Sequence, residues 1–98
     1  MEFVNESPPE CRFTIPDRPT VRQQMTWQDT ISARDGKIRT EFWWAGTLGL
    51  IQDWECESFP DPHVSLDEVD NPSIRRVINW ASTEAMLYMV SLEDIEKN

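Results

Sequence analysis

The sequence predicts a mainly α fold, a small domain of three to four helices behind an extended, proline-rich N-terminal arm. Three observations predict it. Apolar residues recur at helical spacing over residues 72–91. A nearly unbroken apolar stretch runs through 37–54. Pro8, Pro9, Pro16 and Pro19 forbid a continuous helix over the first twenty residues. At 98 residues the chain is about one domain long. The expected division is an arm over 1–19 and a single helical domain over 20–98.

Within the arm, Cys11-Arg12-Phe13-Thr14-Ile15 alternates, with Cys11, Phe13 and Ile15 on one side. That pattern reads as a short strand or extended arm with one sticky face. A lone strand is unstable, so it must lie on the helices, pair with a hidden strand, or wait for another chain. Thr20 then serves as an N-cap for a helix over about 21–32, where Val21, Met25, Gln28 and Ile31 form a modest stripe with Trp27 beside it. Asp35-Gly36 is a turn signal that ends this element.

The next expected helix, 37–54, carries Ile38, Phe42, Ala45 and Gly49 on one stripe. Trp43, Trp44, Leu48, Leu50, Ile51 and Trp54 cover much of the remainder. A helix apolar nearly all round is either central or shared with a partner. Gly46 and Gly49 each cost about 1 kcal/mol against Ala inside a helix, which suggests close approach by a neighbour. A strand over Thr40–Trp44 is the second reading. Phe59-Pro60-Asp61-Pro62 marks a loop, and Ser65-Leu66-Asp67-Glu68 has the capping-box pattern for a short helical turn over 66–70. Asn71 as N-cap and Pro72 at the first helical position open the last helix, whose stripe is Ile74, Val77, Ile78, Ala81, Ala85 and Tyr88. Trp80, Leu87 and Met86 lie off that stripe.

Composition narrows the function. Eighteen acids against nine bases give a formal charge of −9, which disfavours phosphate backbones and anionic membranes. No apolar run approaches the roughly 20 residues needed to span a bilayer. The opening Met1-Glu2-Phe3-Val4-Asn5-Glu6 has no basic and apolar stretches of a secretory signal. On that basis the expected setting is cytoplasmic, and Cys11 and Cys56 are expected as reduced thiols. No phosphate-binding glycine loop, zinc-ligand spacing or nucleophile–base arrangement occurs. His63, the single histidine, sits among turn-forming residues and reads as an exposed loop histidine. The expectation is therefore no catalytic residues, no metal and no cofactor.

Two features point toward protein binding. Between Thr40 and Ile74 there are eight acids and no Lys or Arg. Glu41 opens this stretch. Asp53, Glu55, Glu57, Asp61, Asp67, Glu68 and Asp70 form the expected acidic surface, read either as solvated loop and helix-start acids or as a docking face for a basic partner. The second feature is the tryptophans, a residue type enriched in interface hot spots. Trp43, Trp44, Leu48 and Leu50 form the pool from which exposed partner-binding anchors, or a homo-oligomer contact, are expected.

The order of features resembles a known class. A lead of Phe13-Thr14-Ile15-Pro16-Asp17-Arg18-Pro19-Thr20-Val21-Arg22-Gln23-Gln24 precedes an aromatic helix closing in Leu50-Ile51-Gln52-Asp53-Trp54-Glu55-Cys56. Pro60-Asp61, the acidic Leu66-Asp67-Glu68-Val69-Asp70-Asn71-Pro72 and Val77-Ile78-Asn79-Trp80-Ala81 follow. Over about 13–92 this layout resembles the small acidic proteins of tailed-phage morphogenesis, most nearly the tail assembly chaperones. The resemblance implies a non-enzymatic helper in the cytoplasm of an infected bacterial host, binding the tape-measure protein or tail-tube subunits; the charge balance adds the expectation of no nucleic-acid or membrane partner. The alternative from another class is an acidic inhibitor, a nucleic-acid mimic or decoy directed at a host nuclease or defence protein.

Overall fold

The computed structural model describes residues 1–6, 10–31 and 40–97, and it corrects the mainly α expectation to a small α+β domain. Strands β1 (Glu2–Asn5), β2 (Cys11–Thr14) and β3 (Gln52–Cys56) form an antiparallel sheet in the order β1-β2-β3. Helix α3 (Pro72–Lys97) meets the sheet through Trp80 and Tyr88, α2 (Thr40–Leu48) packs on α3, and α1 (Val21–Ile31) packs on α2, with a 3₁₀ turn at Leu66–Glu68. The Asp35-Gly36 turn and positions 37–39 of the expected second helix lie outside the described residues.

The strand-forming alternation of the arm finds two partners. Phe3 faces Phe13 across β1–β2, and Cys11 faces Cys56 across β2–β3. Directly paired residues share a face and successive residues alternate. Phe3, Cys11, Phe13 and Cys56 therefore point inward, all less than a tenth exposed. Phe13 is fully buried. Its ring stacks on Phe3 at 5.1 Å and on Trp54 at 5.9 Å and meets the edge of Trp80 at 5.2 Å. Trp54 extends this aromatic layer to Trp44 and Phe59, and its Nε1 donates to the Phe59 carbonyl at 2.7 Å. The arm is thus a built part of the core.

The strand β3 replaces the end of the expected helix 37–54. The helix stops at Leu48 because the backbone turns there: Gly49 N–H donates to the Gly46 carbonyl at 3.2 Å, and Leu50 and Ile51 both donate to Thr47. Gly49 is the first residue of this turn. Beyond it, Gln52–Cys56 offers its inward-facing Trp54 and Cys56 to the strand that needed a partner.

The helix starts follow the capping rules. Thr20 Oγ1 accepts from Gln23 N–H at 3.1 Å while Gln23 Oε1 accepts from Thr20 N–H at 2.8 Å, a reciprocal capping box. Asn71 Oδ1 accepts from the Ser73 N–H at 3.0 Å and caps α3. At the 3₁₀ turn, Ser65 Oγ accepts from Asp67 N–H at 3.3 Å. The expected stripe of α1 is displaced, however. Trp27 is buried, while Val21 and Met25 are exposed. The indole offers more apolar area than either aliphatic side chain, so it takes the face toward the core.

Helix α3 buries Ile74, Val77, Ile78, Ala81, Ala85 and Met89, with Tyr88 half-buried. The Tyr88 hydroxyl faces the carbonyls of Pro16 and Asp17, each at 3.3 Å, and so holds the chain leaving β2. Burial, with a smaller contribution from the Asp17 charge, raises the Tyr88 pKa above the ordinary phenol value. Ser82 is buried on the same helix, and its Oγ has no partner among the described residues.

Phe13→Ala is expected to destabilise the domain by about 3–5 kcal/mol, through lost burial and the cavity left among three rings. Ser82→Ala should leave stability unchanged or raise it, because a buried unpaired hydroxyl is removed. Denaturant melts of the two variants check both outcomes.

Candidate protein-docking surface

The outward face of the sheet gathers charge from the N-terminal residues and from the middle of the sequence. Pairing places Glu2 beside Thr14, and Val4 beside Arg12, which in turn lies beside Glu55. Glu6, Glu10, Arg12, Glu55 and Glu57 line one surface depression of about 430 Å³, together with Val4, Asn5, Cys11 and Cys56. Glu2, Asp53 and Glu55 line an adjoining one of about 170 Å³ with Arg12, Phe13 and Thr14. Among the described residues that line the two depressions, Arg12 is the sole base.

Arg12 is itself engaged. Its Nε donates to Glu55 Oε2 at 2.8 Å and its Nη2 pairs with the same carboxylate. The hydrogen bond and charge of Glu55, helped by Glu2, hold the guanidinium pKa above its ordinary value. Both side chains are more than half exposed, so the pair adds little stability, and its consequence is electrostatic. It removes the one cation and leaves Glu2, Glu6, Glu10, Asp53 and Glu57 to set the potential of the face.

Local backbone geometry aims Asp53. One residue of β2, Phe13, lies between the pairs Arg12–Glu55 and Thr14–Gln52, whereas two residues of β3 lie between them, Asp53 and Trp54. This is a β-bulge, and Asp53 occupies it at φ 52°. Asp tolerates that left-handed conformation better than most side chains. The bulge lets Trp54 pack inward while the Asp53 carboxylate reaches the outer face, where its Oδ2 accepts from Thr14 Oγ1 at 3.2 Å.

The expected acidic surface therefore divides. Asp53, Glu55 and Glu57 join the sheet face. Asp61, Glu68 and Asp70 line a separate depression of about 330 Å³ with Phe59, Val64 and Ile74, and Asp67 is exposed on the 3₁₀ turn. Glu41, on α2, lines an adjoining depression that it shares with Asp70. The loop acids have local work: Asp61 Oδ1 accepts from the His63 N–H at 2.9 Å, and His63 is exposed as expected. Glu2, Glu6 and Glu10 were outside the expected surface. The alternation of Glu2-Phe3-Val4-Asn5 ahead of Pro8-Pro9 is the signal that reveals a second strand and hence their placement.

The expected anchor pool divides as well. Trp44 and Leu50 are core residues, 3% and 1% exposed, while Trp43 and Leu48 are half-buried. The exposed large apolar side chains among the described residues are scattered: Met1 and Val4 at the start of the chain, Val21 and Met25 on α1, Leu66 on the 3₁₀ turn, and Leu87 and Val90 on α3. Cys11 and Cys56, expected as free thiols, are joined in a disulfide with Cα atoms 4.2 Å apart. The physical reason is register: the two face each other directly at the end of the β2–β3 pairing, a relation invisible while residues 52–56 are read as helix. Among the described residues no group of side chains is placed to hold a metal ion, and no helix is long and apolar enough to cross a membrane.

Asp53→Gly should preserve stability to within about 0.5 kcal/mol, since glycine adopts this backbone freely. Asp53→Val should cost about 1–2 kcal/mol, because a β-branched side chain crowds a left-handed backbone. Thermal melts of the two variants give the comparison.

No protein-family model, no curated protein and no solved structure matches the chain.

Proposed function

We propose that the chain is a non-enzymatic protein-binding domain that offers the carboxylate face of its sheet to a cationic surface on a protein partner, acting as an acidic inhibitor or decoy. The observation that carries this reading is the assembly of Glu2, Glu6 and Glu10 with Asp53, Glu55 and Glu57 around a single, already paired Arg12. A surface with one sign of charge draws a basic partner by long-range attraction and repels nucleic acid and anionic membrane. A rigid sheet also fixes the spacing of its charges, which a flexible acidic tail does not.

A second reading keeps the tail assembly chaperone function, with a tape-measure or tail-tube protein as client. The half-burial of Trp43 and Leu48 favours it, since both retain apolar surface that a client helix or a second copy could cover. In either reading the work belongs to the cytoplasm of an infected bacterial host only if Cys11 and Cys56 are reduced there. Cytosolic thiols are held reduced, and a persistent Cys11–Cys56 bond favours a more oxidising setting.

Two triple variants of equal net charge test the docking face. Glu6→Gln/Glu10→Gln/Glu57→Gln removes charge from the sheet face, and Asp29→Asn/Asp67→Asn/Glu68→Gln removes it elsewhere. Binding of a ten-residue Lys/Arg peptide is measured by calorimetry at low salt. The face variant should bind about tenfold more weakly than the wild type, and the distal variant should stay within about threefold. Equal losses would mean that net charge alone drives binding, and the face would carry no special role. A separate complex that is insensitive to salt and lost in Trp43→Ala would favour the client-binding reading.

A further inference from the structure

We infer that the Cys11–Cys56 disulfide is a reversible redox clasp whose reduction is selective for the charge of the attacking thiol. The inference is independent of the docking proposal, since it concerns the covalent bond beneath the rim and not a partner. The two cysteines are only 3% and 5% exposed, yet both line the 430 Å³ depression with Glu6, Glu10 and Glu57. Cys11 is the first residue of β2 and Cys56 the last of β3, so the bond closes the end of the sheet. Strand ends open locally at lower free energy than a sheet interior. Among the described residues β3 is also an edge strand, held by β2 on one side. Access to the sulfurs thus comes through a local opening at the rim of this depression.

The chemistry proceeds in two exchanges. A thiolate RS⁻ attacks one Sγ, forming an R–S–Sγ bond as the Cys11–Cys56 bond breaks, and the electron pair leaves on the other cysteine. A second RS⁻ attacks the external sulfur of the mixed disulfide, releasing RSSR and the remaining cysteine thiolate. Both protein thiolates take up protons. Two reductant thiols are oxidised to one disulfide, and the protein disulfide is reduced to two thiols. Each attack brings negative charge toward the rim, and each leaving thiolate is created beside it. The pairing of Arg12 with Glu55 leaves Glu6, Glu10 and Glu57 uncompensated by any base among the described residues that line the depression. Anionic thiols are therefore slowed, while a thiol that carries its own ammonium group escapes most of the repulsion.

The test compares cysteamine with 2-mercaptoethanesulfonate at equal thiolate concentration and pH. Reduction is followed by alkylation and intact mass, and bis(2-hydroxyethyl) disulfide serves as the uncharged reference. At low salt the cysteamine-to-sulfonate rate ratio for the protein should exceed the reference ratio by about tenfold. It should fall toward the reference ratio in about 1 M salt, where screening acts within roughly 3 Å. In Glu10→Gln/Glu57→Gln, folded by circular dichroism, the low-salt ratio should drop severalfold. A protein ratio equal to the reference at low salt overturns the proposal. So do rates independent of thiol concentration, which would mean that an opening step alone, and not the charge of the attacking thiol, limits reduction, and so do free thiols in the protein purified without reductant. Should the double variant fail to fold, the salt dependence of the wild-type ratio still decides.

Discussion

The fold depends on the burial of Phe13 between the sheet and α3. A three-stranded sheet with two short outer strands has little stability of its own and needs a covered face. Phe13, at the centre of the middle strand, supplies that face by meeting Phe3 on one neighbour, Trp54 on the other and Trp80 on the helix beneath. Helix α3 is the support. Its 26 residues make a rod of about 39 Å. Along it, Ile74 to Ala85 pack into the core and Tyr88 ties down the exit of β2. Once the inner face is fixed by these rings, the alternation of the strands leaves Glu2, Glu10, Arg12 and Glu55 no choice but the outer one. The charge pattern of the surface is thus a consequence of core packing.

Size makes the covalent clasp a natural companion to that core. A chain of 98 residues buries a smaller share of its surface than larger domains do, so its hydrophobic stabilisation is limited. The Cys11–Cys56 bond links residues 45 apart in sequence. On the chain-entropy account, closing a loop of that length restricts the unfolded chain by about 4 kcal/mol. It joins the N-terminal hairpin to β3 at the end of the sheet opposite the Thr14–Gln52 pair. Reduction would therefore weaken the sheet where its charged rim lies, which connects the redox state of the protein to the surface it presents.

The sequence made some of this visible and concealed the rest for identifiable reasons. Local signals read true: Thr20 and Asn71 as caps, the stripe of α3, and the alternation that turns Cys11, Phe13 and Ile15 to one side. These depend on contacts within a few residues. The β1–β2 pairing is local and leaves its trace in the alternation of Glu2–Asn5, whereas β2–β3 pairs across some forty residues, which no local pattern states. Residues 49–54 misled because their apolar density continues that of α2, and Trp54 suits a helix face as well as a strand. The turn at Gly46–Leu50 decides the matter, yet two glycines in an apolar run read equally as close-packing sites. The acidic surface was half legible. Asp53, Glu55 and Glu57 stand together in sequence, whereas Glu2, Glu6 and Glu10 reach them only through the sheet.

The account rests on the N-terminal residues being a structural part of the sheet, and cross-strand proton contacts test that most directly. Cys11 and Cys56 have the close Cα separation of a non-hydrogen-bonded antiparallel pair, 4.2 Å, at which the two Hα atoms nearly touch. A nuclear Overhauser measurement on the oxidised protein should show a strong Hα–Hα cross-peak between these residues, accompanied by ring contacts between Phe13 and Trp80. Absence of both, with amides of residues 2–14 exchanging as in an unfolded chain, would contradict the fold described and the acidic face built on it.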